Sequence, residues 1–376
     1  MGWNSKMKKI IIVFGTRPEA IKMCPVICEL KKRDSIETVV CLTGQHREML
    51  NEVMERFNIE ADYNLNIMRK NQTLAQITSK VISLFDKILI NEKPDLVLVH
   101  GDTTTSFSAA LGAYYRKIPI GHVEAGLRTY DITSPFPEEF NRQGVDLISD
   151  LYFAPTETAK NQLLSENKDK SKIYVTGNTV IDALNKTIIK DYQHELLDWV
   201  GSNRLILVTV HRRENWGEHL YHIFNAINKI VEDFSDVRVI YPVHRNPQIR
   251  EIAFKVFINN DRIKLVEPLE VFDFHNIMKR SYFVMTDSGG IQEEAPSLGV
   301  PVLVLRNTTE RQEGIKAGTL KVVGIDEENI YNAAKELLLD QEIYTKMCDA
   351  KNPYGDGNAS KKIVNAVINY LSEREG

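Results

Sequence analysis

The chain is 376 residues long, beyond the size at which a single hydrophobic core keeps growing, so two domains are expected. Its residues are 43% hydrophobic and 26% charged, as in ordinary globular proteins, and 47 basic against 51 acidic side chains leave a net charge of −4. With no extended basic block and no long apolar run, neither a nucleic acid nor a membrane span is expected.

Residues 1–9 are mostly polar, and the apolar run that follows (10–14) is too short for a secretory signal. Cys24, Cys28, Cys41 and Cys348 form no CxxC pair or Cys/His cluster. The expectation is a cytoplasmic protein with reduced thiols.

The run 10–14 reads as a central parallel strand covered on both faces, and it ends at Gly15 before a helical pattern through Ile21, Val26, Ile27 and Leu30. Further runs at 39–42, 96–99 and 118–123 alternate with helical segments near 47–57, 73–90, 104–116 and 138–149. That alternation predicts an α/β fold with crossover helices. Residues 155–183 add a helix, a strand at 173–175 and a turn at Gly177–Asn178. Periodicity weakens at 186–203, which reads as a connection.

A second α/β series follows, with strands at 205–210, 237–241, 263–266, 282–285 and 302–305, and helices near 217–232, 247–256, 271–279 and 290–298. The expected organisation is a first domain at 1–185, the connection 186–203, a second domain at 204–357 and a terminal amphipathic helix within 358–376 docking on a domain surface. Polar motifs past the strand ends of two such domains predict a ligand cleft between them.

Those motifs carry the chemistry. Gly15-Thr-Arg17-Pro-Glu19 follows the first strand, and with Lys22 it offers amides and positive charge to an anion. It has neither GxGxxG nor Walker spacing, and taken alone it reads equally as an ordinary turn. Thr286-Asp287-Ser288-Gly289-Gly290 is a second strand-to-helix turn whose small residues permit close approach of a phosphate, with Glu294 placed for ribose hydroxyls. His211-Arg212-Arg213, His244 and the loop from Arg306 to Arg311 add cationic groups after three other strands of the second series.

Asp102 and Glu124 lie at or just past strand ends of the first series, Asp102 in HGD and Glu124 in GHVEAG, and Glu138 lies in a third block, Ser134-Pro-Phe-Pro-Glu138-Glu139-Phe-Asn-Arg142. Glu138 and Arg142 are spaced to share a helix face. Carboxylates brought together resist simultaneous ionisation, so one can serve as acid while another serves as base. With His100 and His122 the same set equally suits a metal, although no HExxH spacing supports one.

At these motifs the sequence resembles the non-hydrolysing bacterial UDP-N-acetylglucosamine 2-epimerase family. The matching stretches are FGTRPEAIKM, TGQHREML, LVHGDTTT, GHVEAGLRT, SPFPEEFNRQ, TGNTVIDAL, TVHRRENWG, YPVH, TDSGGIQEEAPSLG and NPYGDG, in order from residue 14 to residue 357. The resemblance implies two Rossmann-like domains with an inter-domain cleft, similar to the GT-B glycosyltransferases, in a homodimer. It implies reversible inversion at C2 between UDP-N-acetylglucosamine and UDP-N-acetylmannosamine, through elimination of UDP to 2-acetamidoglucal and re-addition, with no NAD or metal cofactor.

Carried over by position, Asp102, Glu124 and Glu138 are the acid/base candidates, with Asp102 and Glu138 as the proton-transfer pair and Glu124 organising or relaying protons. His211 would act at the leaving phosphate or the sugar, and Arg142 would support the acids. Arg17, Lys22, Ser288, Gly289, Gly290, Glu294 and Arg311 would bind UDP. Gln45, Arg47, Glu139, Arg212, Arg213 and His244 match an allosteric substrate site of many bacterial members. Asn307 and Gln312 depart from the family's usual Asp and Pro, which implies altered rigidity of the loop around Arg311. A hydrolysing epimerase, a GT-B glycosyltransferase and a nucleotide-sugar sensor are the alternatives.

Overall fold

The computed structural model describes residues 7–44, 47–69 and 71–374, with the side chains of 47–49 outside the description. The chain divides into two compact units. One runs up to Ala183 and resumes at Gly355; the other is Leu184–Tyr354.

The first unit is built on a parallel sheet. Its strands are β1 (Lys8–Phe14), β2 (Ile36–Leu42), β3 (Tyr63–Asn64), β4 (Leu96–His100), β5 (Ile120–Val123), β6 (Leu151–Ala154) and β7 (Ile173–Val175). They lie in the order β3-β2-β1-β4-β5-β6-β7. Ile10 to Phe14 are wholly buried because helices cover both faces of the sheet. Each such Ile, Val or Phe contributes about 1.5–3 kcal/mol by leaving water.

Strand order reverses between β1 and β4, so the loops after these two strands diverge and open a crevice at their carboxyl ends. Thr16 caps the helix Arg17–Leu30 through a capping box with Glu19. That fixes the β1 loop at the edge of this crevice.

The second unit repeats the plan with β8 (Arg204–Thr209), β9 (Val237–Pro242), β10 (Ile263–Val266), β11 (Phe283–Thr286), β12 (Val302–Val304) and β13 (Leu320–Val322). Their order is β10-β9-β8-β11-β12-β13, all parallel, with the reversal between β8 and β11. Its core packs Ile206, Val208, Phe224, Ile227, Tyr241 and Met285 between sheet and helices.

Residues 186–203, read above as a connection, lie within this second unit, which begins at Leu184, and contain the helix Glu195–Val200. They are tied into it by polar contacts: the Thr187 hydroxyl lies 2.9 Å from His275 Nδ1, and the Ile189 amide donates to Asn276 Oδ1 at 2.8 Å. The terminal helix Ala359–Glu373 packs in the first unit. Asp182 caps it, accepting from the Ala359 and Ser360 amides at 3.1 and 2.7 Å.

Candidate active site

In the first unit the buried carboxylate of Glu19 spans the β1/β4 crevice. Its Oε2 accepts from the Gly15 and Thr16 amides (3.1 and 2.8 Å) and the Thr16 hydroxyl (2.8 Å). Its Oε1 accepts from the Thr103 hydroxyl at 2.8 Å and lies 3.0 Å from the Ser106 hydroxyl oxygen. One side chain therefore laces the loop after β1 to the loop after β4, which carries Asp102. Arg17, half-buried, opens the helix that follows β1. Glu19 had no role in the sequence reading, although the Thr16-x-x-Glu19 capping spacing was there to find it.

Asp102 and Glu124 follow adjacent strands, since β4 pairs with β5 up to His100 opposite Val123. Asp102 is paired with the Arg142 guanidinium, and Asn141 donates to its backbone carbonyl at 2.9 Å. Arg142 also faces the wholly buried Glu139, Nη1 to Oε2, at 3.4 Å. Glu139 in turn accepts from the Tyr130 amide (3.0 Å) and the Gln143 side chain (2.8 Å). Arg142 thus pairs with Asp102 and Glu139, whereas the spacing alone allowed a partner in Glu138. Glu138 begins the helix Glu138–Ile148, half-buried, and makes no side-chain hydrogen bond or ion pair among the described residues.

Glu124 sits in the left-handed backbone region at φ 69°, uncommon for a residue with a side chain and a recurrent mark of functional positions. Its Oε2 pairs with the Lys22 ammonium and accepts from Asn178 Nδ2 at 3.0 Å. Burial disfavours the ionised form, but Lys22 and His100 outweigh it and hold the carboxyl well below the usual carboxylate range. His100, only 5% exposed, places Nε2 3.5 Å from Glu124 Oε2; that nitrogen has no hydrogen-bond partner among the described residues.

Behind these loops lies a buried charged network. His122 Nδ1 is 2.6 Å from Asp146, and Nε2 donates to the Gly101 carbonyl at 2.8 Å. Asp146 also accepts from the Gly126 amide at 3.1 Å and pairs with Arg128 at 2.8 Å. Despite its burial, Asp146 is held below its ordinary value because His122 and Arg128 face it. Asp146 lies on the same helix as Glu138 and Arg142, so it locks that helix to the loop carrying Glu124. His122 is therefore engaged in packing the site, and no group of three or more His, Cys, Asp or Glu among the described residues could hold a metal.

The second unit places its motifs at the β8/β11 reversal. Asp287, wholly buried, accepts from the His211 and Arg212 amides at 2.9 Å each and from Asn215 Nδ2 at 2.9 Å. It lies 3.0 Å from His211 Nδ1. Burial opposes its charge, yet His211 and these amides keep its carboxyl below the ordinary value. Asp287 thus does for the β8 and β11 loops what Glu19 does in the first unit.

The His211 and His244 rings stack with centroids 5.9 Å apart. Burial and the neighbouring His211 lower His244 below its ordinary value.

Gly289 sits against Glu310 and Arg311: a Cβ there would lie 3.0 Å from Glu310 Oε1. Glu310 joins Arg306 (2.8 Å), Arg311 (3.2 Å) and Arg212 (3.3 Å). Partial burial resists its ionisation, but Arg311 and Arg306 push its carboxyl down to about 2. Arg311 is held also by Glu293 at 2.7 Å. Glu294 lies 3.4 Å from the buried His275, and Ser288 is half-buried at the turn. Arg213 is exposed beside Trp216. Gln45 and the side chain of Arg47 lie outside the described residues.

Gln312 opens the helix Gln312–Ala317, and its side chain donates to the Thr309 carbonyl at 2.6 Å.

Two Rossmann-like units, each with a parallel sheet and with polar loops at its strand-order reversal, define a GT-B-like α/β protein. The UDP-N-acetylglucosamine 2-epimerase family model matches residues 28–368. A UDP-N-acetylglucosamine 2-epimerase of Bacillus subtilis is 57% identical over 370 residues, covering 98% of this chain and 97% of the relative. The crystal structure of the UDP-GlcNAc 2-epimerase from Neisseria meningitidis bound to UDP-GlcNAc superposes with a TM-score of 0.86 at 48% identity, covering 96% of this chain and 100% of that one. The Methanocaldococcus jannaschii UDP-GlcNAc 2-epimerase, crystallised with UDP-GlcNAc and UDP, gives a TM-score of 0.78 at 35% identity, with 96% and 99% covered. The chain belongs to the UDP-N-acetylglucosamine 2-epimerase family. No helix among the described residues is long and apolar enough to cross a membrane.

Proposed function

We propose that the protein interconverts UDP-N-acetylglucosamine and UDP-N-acetylmannosamine by inverting C2, through elimination of UDP to 2-acetamidoglucal and re-addition. The observation that carries this reading is a set of three carboxylates in unlike surroundings. Asp102 is paired with a guanidinium, Glu124 is held ionised by an ammonium, and Glu138 has no partner among the described residues. Inversion needs a base on one face of C2 and an acid on the other, and groups of one type in different company can divide those roles.

A C2 hydrogen is poorly acidic. Breaking C2–H and C1–O together avoids a full carbanion, and the electron pair leaves on the UDP oxygen. Asp102 and Glu138 exchange the C2 proton, Glu124 organises or relays protons, and Arg142 fixes Asp102. His211 meets the departing phosphate, where positive groups stabilise growing charge.

Arg17, Lys22, Ser288, Gly289, Gly290, Glu294 and Arg311 bind UDP. Lys22 then divides its charge between Glu124 and the nucleotide. Glu139, Arg212, Arg213 and His244, with Gln45 and Arg47, form an effector site for the substrate, and the protein works as a homodimer. Hyperbolic kinetics from UDP-N-acetylmannosamine, unmoved by added UDP-N-acetylglucosamine, would remove the effector site.

Incubation with UDP-N-acetylglucosamine in D₂O, followed by NMR, tests the reaction. The expected result is deuterium at C2 in both epimers without free sugar. Epimers lacking C2 deuterium would contradict proton transfer with solvent, and release of N-acetylmannosamine with UDP would make the enzyme hydrolytic.

A further inference from the structure

We infer that His100 is a positioning residue that acts through Glu124: from the buried end of β4, its Nε2 donates to that carboxylate and keeps it in the proton-accepting form. The inference rests on the reading of Glu124 as a member of the acid/base set.

Three observations support it. His100 is the last residue of β4, two positions before Asp102, with its ring 5% exposed. A buried ring nitrogen without a partner is uncommon, because leaving it unsatisfied costs about 1–3 kcal/mol. The orphan nitrogen here points at a carboxylate oxygen 3.5 Å away. A shift of a few tenths of an ångström completes the hydrogen bond, and apo catalytic contacts are often long in this way.

The backbone on both sides is held in place. The His100 carbonyl accepts from the Ser106 hydroxyl, and Glu124 stands at φ 69°. The Glu124 amide itself donates to the Phe153 carbonyl at 3.1 Å. Neither partner is free to drift from the other.

The charged or titratable groups facing Glu124 are Lys22, on the helix after β1, and His100, on β4; Asn178 adds a neutral donor. Lys22 is also wanted at the nucleotide on the reading above. His100 is the titratable donor that stays behind, so it keeps Glu124 ionised when Lys22 turns to the nucleotide. No bond to the sugar is asked of His100. It acts on when Glu124 takes a proton.

Removing a donor from an ionised carboxylate raises its proton affinity. The pH at which Glu124 becomes protonated, and activity falls, must then move up.

The test uses the full chain as His100→Phe and His100→Gln, the second keeping an amide donor. Two readouts are compared with the wild type: the acid limb of kcat/KM for epimerisation, and the ¹³C-carboxyl titration of Glu124, assigned by its loss in Glu124→Gln. In His100→Phe both are expected to move to higher pH by about 1 unit, and in His100→Gln both return toward the wild type. Rates lowered evenly at every pH, with the Glu124 titration unmoved, would overturn the inference and leave His100 a packing residue. A Glu124 titration that moves while the acid limb stays would uphold the contact and overturn the claim that protonation of Glu124 sets the limb. If His100→Phe fails to fold, His100→Ala, which also removes the donor, decides by the carboxyl titration. A Glu124 titration unmoved there counts against donation.

Discussion

Asp102, Glu124 and Glu138 are alike in chemistry and differ in company, and the proposed division of labour rests on that company. Asp102 is fixed by Arg142, and Asp102→Asn keeps the shape while removing the proton acceptor. The rate of epimerisation should fall about 10²- to 10⁴-fold with the melting temperature unchanged; steady-state assays beside thermal unfolding check both. A variant within twofold of the wild type would remove Asp102 from the proton-transfer pair.

Glu310 supports a prediction about pH. Its carboxyl lies lower in the folded chain than the ordinary value, so its ionised form contributes stability above the usual carboxylate range, and that contribution is lost as pH falls toward about 2. Glu310→Gln should therefore be less stable than the wild type at neutral pH, with the gap closing in acid; urea midpoints across pH measure it. The effect is modest, because the side chain is 42% exposed and solvent screens its partners.

At this scale the sequence was legible for residues inside recognisable motifs. Asp287, Glu310 and Glu19 stood inside quoted motifs, yet their roles depend on which strands become neighbours, and spacing along a chain does not report that.

Among the elements, the loop after β5 carries the most constraint. Gly126 stands at φ 84°, and a Cβ added there would lie 2.4 Å from the Ala159 carbonyl oxygen. Its amide is held by Asp146, two residues beyond Glu124. Gly126→Ala should destabilise the fold by more than about 1 kcal/mol, read as a lowered urea midpoint, and slow epimerisation by displacing Glu124. Full stability in that variant would show that the loop can relax.

Elements were most readable where burial on both faces wrote a continuous apolar run, as in β1, β4 and β8. β6 was missed because its four residues follow the helix Glu138–Ile148 after a single short turn, so the two run together. β3 has two residues and β13 three, the latter with exposed Lys321 at its centre, too little for a periodicity to declare itself. The segment 186–203 looked like a connection because its order comes from polar contacts to His275, Asn276 and Asp273, with few apolar positions of its own.

For the whole molecule, each unit gathers its motifs at its own strand-order reversal and braces two loops there with one buried carboxylate, Glu19 in the first and Asp287 in the second. On the proposed reading, the first unit supplies the acid/base carboxylates and the second supplies most of the UDP ligands. Arg311→Ala should weaken UDP binding by about 1.5–3 kcal/mol, the worth of a charged hydrogen bond, while Asp102→Asn leaves UDP affinity unchanged. Calorimetric titration with UDP compares the two, and equal losses would contradict the division.

Elimination of UDP is the claim on which the chemistry turns, and oxygen labelling tests it most directly. UDP-N-acetylglucosamine is prepared with ¹⁸O in the bond from C1 to the β-phosphate, and its position is followed by ³¹P NMR during epimerisation. If C1–O breaks, the freed β-phosphate rotates and the label spreads into its non-bridging positions in recovered substrate and product. Epimerisation with deuterium entering C2 and the label still wholly in the bridge would contradict the account.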